Sequence, residues 1–365
     1  MRANRMVRGV ITAACLLGCA LTVQASVSSV LERPAQLSPH AQNAVLVAVT
    51  ATPERLVAVG ERGIVVLSDD NGVTWRQANV PVSVTLTAVQ FLNNKDGWIV
   101  GHGGVLLRSR DGGENWTKQM DGVSLAQLLV RTSQERQQDK DADPDELERE
   151  AKAAQLMVKD GPDKPFLDVH FVSEHTGYII GAYNLILRTD DGGQTWQPWQ
   201  SHVDNSMGLH LYAIGGSGPN LYLVGEQGSV FRSSDDGGTF VALETPYQGS
   251  YFNLLVDSND QLIIAGLRGS AYRTDDSGTD WTRIDIPSGA SITGSVQLKD
   301  GRLVLVNQSG QLLISQDKGN SFQLSPLKQL SPLAGVTQSA DGSLIVVGVR
   351  GVTTISLASV TGSAK

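Results

Sequence analysis

An eight-residue pattern, S/T-x-D-x-G-x-T-W, recurs along this chain of 365 residues and limits what it can fold into. It is complete at Ser68-Asp69-Asp70-Asn71-Gly72-Val73-Thr74-Trp75. It returns with small changes at Ser109 to Trp116, Thr189 to Trp196, Thr274 to Trp281 and Ser315 to Phe322. Ser234 to Phe240 reads as a further copy, one residue short after Gly238. The closing aromatics fall at 75, 116, 196, 240, 281 and 322, so the intervals are 41, 80, 44, 41 and 41. A period of this length marks an array of like structural units, and one insertion of about 40 residues explains the doubled interval. Within each copy the Asp side chain is suited to accept hydrogen bonds from N–H groups of its own turn, and the Ser/Thr hydroxyl helps to close it. Gly supplies a left-handed backbone position, and the aromatic returns to pack between neighbouring units. Asp70, Asp111, Asp191, Asp236, Asp276 and Asp317 are therefore structural, because a motif that recurs six times is not one active site.

A second repeat lies upstream of each copy. Gly-x-x-Gly turns stand between two β-rich runs at Gly60-Glu61-Arg62-Gly63, Gly101-His102-Gly103-Gly104, Gly225-Glu226-Gln227-Gly228, Gly266-Leu267-Arg268-Gly269 and Gly348-Val349-Arg350-Gly351. Degenerate copies are Gly181-Ala182-Tyr183-Asn184 and Asn307-Gln308-Ser309-Gly310, which makes seven. Much of the chain's 39 Gly is spent on these turns. Each unit reads as four strands, as in Leu86–Phe91, Gly97–Val100, Val105–Ser109 and Asn115–Gln119, and four strands per unit is one propeller blade. The Asp-containing motif resembles the Asp-box (BNR) repeat of sialidase-type β-propellers. The expected fold is all-β, a seven-bladed β-propeller with one helical insertion. The seventh unit, Leu333 to Leu357, runs out after its third strand and has no Asp box. An open ring would leave an exposed edge, so the segment around 28–36 is expected to donate the missing outer strand.

The N-terminus reads as a targeting segment. Arg2, Arg5 and Arg8 precede an apolar run from Val10 to Val23, too short to span a bilayer comfortably. Val23-Gln24-Ala25 suits signal-peptidase cleavage, which gives a signal peptide at 1–25 and a single mature propeller at 26–365. The alternative is a lipobox at Leu16-Leu17-Gly18-Cys19 with a lipid on Cys19. On either reading Cys15 and Cys19, the two cysteines of the chain, stay out of the fold, which removes disulfides, thiol nucleophiles and cysteine metal sites. The expected location is the periplasm. With three leader arginines removed, 26 basic residues face 37 acidic ones, a mature charge of −11 against −8 for the whole chain. Such a field speaks against nucleic-acid binding. The six His show no zinc spacing, and the Gly pairs precede strands rather than a phosphate-binding helix. No metal and no cofactor is expected.

From 124 to 165 the composition changes. Between Arg131 and Asp160 there are 9 acidic and 6 basic residues, half of those 30 positions. Asp143-Pro144-Asp145-Glu146 reads as N-cap, Pro at N1 and acids in the first turn, with a helix to about Lys159. Leu125, Leu128 and Leu129 suggest a shorter helix before it. The insertion joins the outer strand of blade two to the inner strand of blade three. In a propeller such connections share a rim with the second-to-third-strand turns. The arm and the seven Gly turns should therefore occupy one face, opposite the Asp boxes, and that face is the candidate partner-binding surface.

Arg62, Arg268 and Arg350 share the third turn position in blades one, five and seven. His102, Tyr183 and Glu226 add polar groups to the same ring. Guanidinium forks match carboxylates, so the arginines suggest an anion or acidic-peptide site. The rival is a sialidase-like or other glycan-active hydrolase on the same face. It would require a Tyr–Glu pair beside clustered arginines or two carboxylates at a set separation. Nothing in the sequence selects them, and Tyr178, Tyr212, Tyr222 and Tyr272 fall within strands as packing residues.

Seven blades, an export leader, regular Asp boxes and arginine-bearing Gly turns together resemble the photosystem II stability/assembly factor family, over roughly 44–357. The resemblance implies a non-enzymatic, exported scaffold that holds a subunit of a membrane-protein complex close to the membrane through an arginine patch. That patch maps onto Arg62, Arg268 and Arg350. Family relatives in non-photosynthetic bacteria imply an RND-type exporter as client in place of a component of photosynthesis. A monomer is expected.

Overall fold

Seven antiparallel sheets follow one another along the chain, each built from strands consecutive in sequence. The computed structural model describes residues 29–140, 142–257 and 261–360. The inner strands are Leu46–Ala51, Leu86–Phe91, Phe166–Phe171, Leu211–Ser217, Tyr251–Val256, Ile292–Gln297 and Leu333–Gln338. Each packs against the inner strand of the next blade, and the last packs against the first, so the sheets close into a seven-bladed ring. Second strands such as Leu56–Gly60, Leu262–Gly266 and Leu344–Gly348 are buried at every position. They read as continuous apolar runs because both faces of a blade are covered by its neighbours.

The Asp boxes form the turns between third and outer strands. In blade one Ser68 Oγ donates to Asp70 Oδ1 at 2.8 Å and accepts from Gly72 N at 2.8 Å, while Thr74 N donates to Asp70 Oδ1 at 2.9 Å. Asp111, Asp191, Asp276 and Asp317 repeat this arrangement. Hydrogen bonds from hydroxyl and N–H groups stabilise the ionised form, and Asp70 and Asp191 are each lowered to about 2. Blade four corrects the sequence reading. Its box starts at Ser233, is full length, and uses Asp235, which accepts from Ser233 Oγ at 2.7 Å and Thr239 N at 3.0 Å. Asp236 instead takes the left-handed position, φ +56°, that Asn71 holds in blade one.

Ring closure is the second correction. Blade seven has three strands, ending with Gly351–Ile355. The segment around 29–36 forms no strand there and lies across blades one and two instead. Ala35 N donates to Val80 O at 3.0 Å, Ser83 N to Val30 O at 2.8 Å, and Lys118 Nζ to Leu31 O at 2.8 Å. Blade one already has an outer strand of its own, Arg76–Gln77, and the ring closes on contact between inner strands. Thr354 Oγ1 donates to Gly72 O at 2.9 Å, tying the short blade to the Asp box of blade one.

The insertion is a pair of helices, α1 (Gly122–Arg136) and α2 (Pro144–Asp160). Asp143 caps α2 through Asp145 N at 2.9 Å, with Pro144 at the first helical position. Asp121 caps α1 in a reciprocal box with Ser124. Arg136 joins the helices by ion pairs to Glu146 and Glu150. Leu125, Ala126 and Met157 are buried in one cluster with Trp98, Phe166 and Phe171, so the arm is clamped to blades two and three.

Candidate functional site

The Gly turns are built by two separate constraints. The first Gly is set by close approach: a Cβ on Gly60 would lie 2.1 Å from Val45 O, the carbonyl just ahead of the inner strand. The last Gly is set by backbone angle, φ +73° at Gly63. Between them, the third residue is also left-handed in blades one to five: Arg62, Gly103, Tyr183, Gln227 and Arg268, all at φ +54° to +68°. Gly103 adopts this conformation freely; the four others hold it at a cost of roughly 1–3 kcal/mol each.

Arg62 and Arg268 therefore stand on matching backbone frames, exposed and with no side-chain partner among the described residues. Arg350 is equally exposed, but its frame differs: Gly348 pairs directly with Gly351, leaving a two-residue hairpin, and Arg350 is not left-handed. The three arginines sit on separate blades, one, five and seven. His102 is exposed at the second turn position, beside the start of α1, where Gly104 packs on Gly122.

Glu226 is engaged structurally. It accepts from His210 N at 3.2 Å, just as Glu61, at the same place in blade one, accepts from Val45 N at 3.5 Å. Tyr183 reaches Glu226 through His210: the Tyr183 ring lies 4.5 Å from the His210 ring, and His210 Nδ1 lies 3.3 Å from Glu226 Oε2. Lys164 Nζ lies 5.2 Å from the Tyr183 centroid.

Sequence reasoning missed the row that continues inward. His210 and Tyr212 rings are 6.3 Å apart, and Tyr212 and Phe252 rings 5.3 Å. Tyr212 and Phe252 occupy the β-bulge near the start of each inner strand, a position skipped by the ladder in all seven blades. The other bulge residues are Val47, Thr87, Leu167, Thr293 and Ala334, so they ring the channel mouth on this face. Two adjacent aromatics at one repeat position were the signal in the sequence. Burial and the Glu226 charge both push the Tyr212 hydroxyl pKa up, the opposite of what a tyrosine nucleophile requires. Tyr178, Tyr222 and Tyr272 are buried in the core.

Deeper in the ring, side chains bind the otherwise free edges of inner strands. Asp168 accepts from Val169 N at 2.8 Å and Ile214 N at 3.0 Å, and His170 Nε2 lies 3.0 Å from Gly216 O, linking blades three and four. Gln90 accepts from Phe171 N at 2.6 Å and links blades two and three. Burial pushes the Asp168 carboxyl up to about 7 and lowers the His170 pKa. Both oxygens of Asp168 are spent on backbone N–H groups, and the bond from Ile214 ties the inner strands of blades three and four.

A family model described as "Photosynthesis system II assembly factor YCF48" matches residues 33–128 and 148–326. The unmatched stretch between these blocks falls within the helical arm. Among curated proteins, the chain is 28% identical over 92 residues to the photosystem II assembly lipoprotein Ycf48 of Synechococcus sp. (strain CC9902), covering 25% of this chain and 26% of that protein. It is 23% identical over 242 residues to the chloroplastic photosystem II stability/assembly factor HCF136 of Arabidopsis thaliana, covering 56% and 57%. The chain thus spans between a quarter and just over half of the length of these relatives. A solved structure of YCF48 bound to D1 peptide superposes with a TM-score of 0.60 at 17% identity, covering 88% of this chain and 94% of that one. At that identity the superposition speaks for the fold.

Proposed function

Because the chain belongs to the photosynthesis system II assembly factor YCF48 family, we propose that it is an exported, non-enzymatic scaffold that holds a subunit of a membrane-protein complex during assembly. The observation that carries the reading is the pair Arg62 and Arg268. Each is exposed, unpaired and kept in a left-handed conformation that Gly103 adopts at no cost in blade two. Retaining arginine where glycine is the easier choice argues that the side chain is used. Arg350, His102 and Tyr183 extend the surface, and the helical arm rises from the same face. An extended segment of the client would lie across this face; the related solved structure is of YCF48 bound to a D1 peptide. Its carboxylates would meet guanidinium groups, and most of the affinity would come from a few anchored contacts.

The periplasm is the compartment we assign, with the lipid-anchored form at Cys19 as the alternative; a relative carries the name lipoprotein. Residues 1–28, which include that leader, lie outside the described residues. An RND-type exporter is our candidate client, and the chain acts as a monomer. The hydrolase reading draws little support, since Tyr212 is driven toward its neutral form, Glu226 is tied to His210 and the arginines sit on three different blades.

The test is affinity capture from the cell envelope with the wild-type chain and with the triple variant Arg62→Glu, Arg268→Glu, Arg350→Glu. Loss of one specific membrane-protein subunit from the variant is expected. Retention of every captured partner by a folded variant would refute the arginine assignment.

A further inference from the structure

Blade four carries a cleft of about 470 Å³ on the Gly-turn face. One wall is the connection from blade three, with Asp204 and Met207. The opposite wall is the turn bearing Gln227 and the segment bearing Glu244, and Leu209 and Phe231 contribute apolar lining. Met207 is 71% exposed, and its flexible thioether offers an adaptable apolar wall to whatever enters the cleft.

The charge in the cleft is one-sided. Asp204 and Glu244 are exposed, neither carboxylate has a side-chain partner among the described residues, and no basic residue lines the cleft. Ser229 also lines the cleft. The loop is held in place: Asn205 donates to Asn184 Oδ1 at 2.9 Å and to Leu209 O at 2.9 Å, which fixes the Met207 wall against the Tyr183 turn.

We propose that this cleft receives a basic side chain, arginine or lysine, from the client segment. The aliphatic stem would lie along Met207 and Leu209, and the charged head would reach Asp204 and Glu244. The inference rests on the reading that the Gly-turn face binds a polypeptide, and it specifies the segment's chemistry: a basic anchor at blade four, and acidic groups toward Arg268 and Arg62.

The chain has five methionines, and Met207 is the one in the cleft, so methyl-13C-methionine spectra of the full mature chain read the site directly. The probes are the capped tripeptides Ac-Ala-Arg-Ala-NH2, Ac-Ala-Glu-Ala-NH2 and Ac-Ala-norleucine-Ala-NH2, titrated to about 20 mM, a range suited to millimolar affinity. The arginine peptide is expected to move the Met207 resonance saturably while Met120 and Met157 stay in place. In the Asp204→Asn, Glu244→Gln variant its affinity should fall about fivefold, as expected for two rim ion pairs. An equal response to the glutamate peptide, unchanged affinity in the variant, or no saturable shift at Met207 would each overturn the proposal. The outcomes separate from those of envelope capture. A selective Met207 response with unaltered capture by the arginine variant would leave the cleft standing and remove the arginine patch.

Discussion

Asp168, whose carboxyl is pushed up to about 7, couples the stability of the ring to pH. Its folded-state pKa lies above the unfolded value of 3.8, so the folded chain holds the extra proton. That contribution is fully present below the unfolded pKa and is lost as pH rises toward 7. The neighbouring His170 is shifted in the opposite sense, so the comparison that isolates Asp168 is wild type against Asp168→Asn. Urea denaturation of both between about pH 4 and pH 7 should show the wild type losing stability relative to the variant, at up to ~1.4 kcal/mol per pH unit. Parallel curves would exclude the carboxyl as their source. The turn makes a second residue-scale prediction. Gly63→Ala should destabilise by more than ~1 kcal/mol, since φ is +73° and its Cβ would meet Val82 O at 2.1 Å. Arg62→Gly should leave thermal stability unchanged or raise it by up to ~1 kcal/mol while weakening client capture. Much at this scale was legible because the Asp box and Gly turn are local chemistry. The blade-four register was misread because Ser233-Ser234-Asp235-Asp236 offers two alignments one residue apart. Only the bonds from Ser233 and Thr239 decide between them.

The helical arm shows the same division at the scale of an element. Asp143 and Pro144 mark where α2 begins because capping is settled within one turn of chain, and the helix runs to Asp160. Which apolar residues dock was harder to read, since that depends on what the arm meets. Leu125 is fully buried against blades two and three, whereas Leu156 on α2 is 50% exposed. Leu125→Ala should cost about 2–5 kcal/mol in chemical denaturation, as buried leucine truncations do. Leu156→Ser should stay within about 0.5 kcal/mol. Equal effects would mean that the arm is not clamped to the ring. The aromatic row Tyr183–His210–Tyr212–Phe252 spans three blades, and no sequence window contains it. It emerges when the bulges of separate repeats are brought round one channel mouth.

For the whole molecule, the count of seven blades followed from the repeat period, while the manner of closure did not. A three-stranded last blade invited a donated strand, yet the early segment finds better partners in Val80 and Ser83 across blades one and two. Deleting residues 29–36 should lower hydrogen-exchange protection at 80–84 and leave Val352–Ile355 of blade seven unchanged. Partner binding is proposed for the Gly-turn face, opposite the face formed by the Asp boxes. Site-specific photo-crosslinking in the cell envelope separates the two. A benzoylphenylalanine at His102, Arg62 or Arg268 on the Gly-turn face should form an adduct with one membrane-protein subunit. The same probe at Val73 or Lys318 on the Asp-box face should form none. Adducts from Val73 and Lys318 with none from the Gly-turn positions would contradict the account.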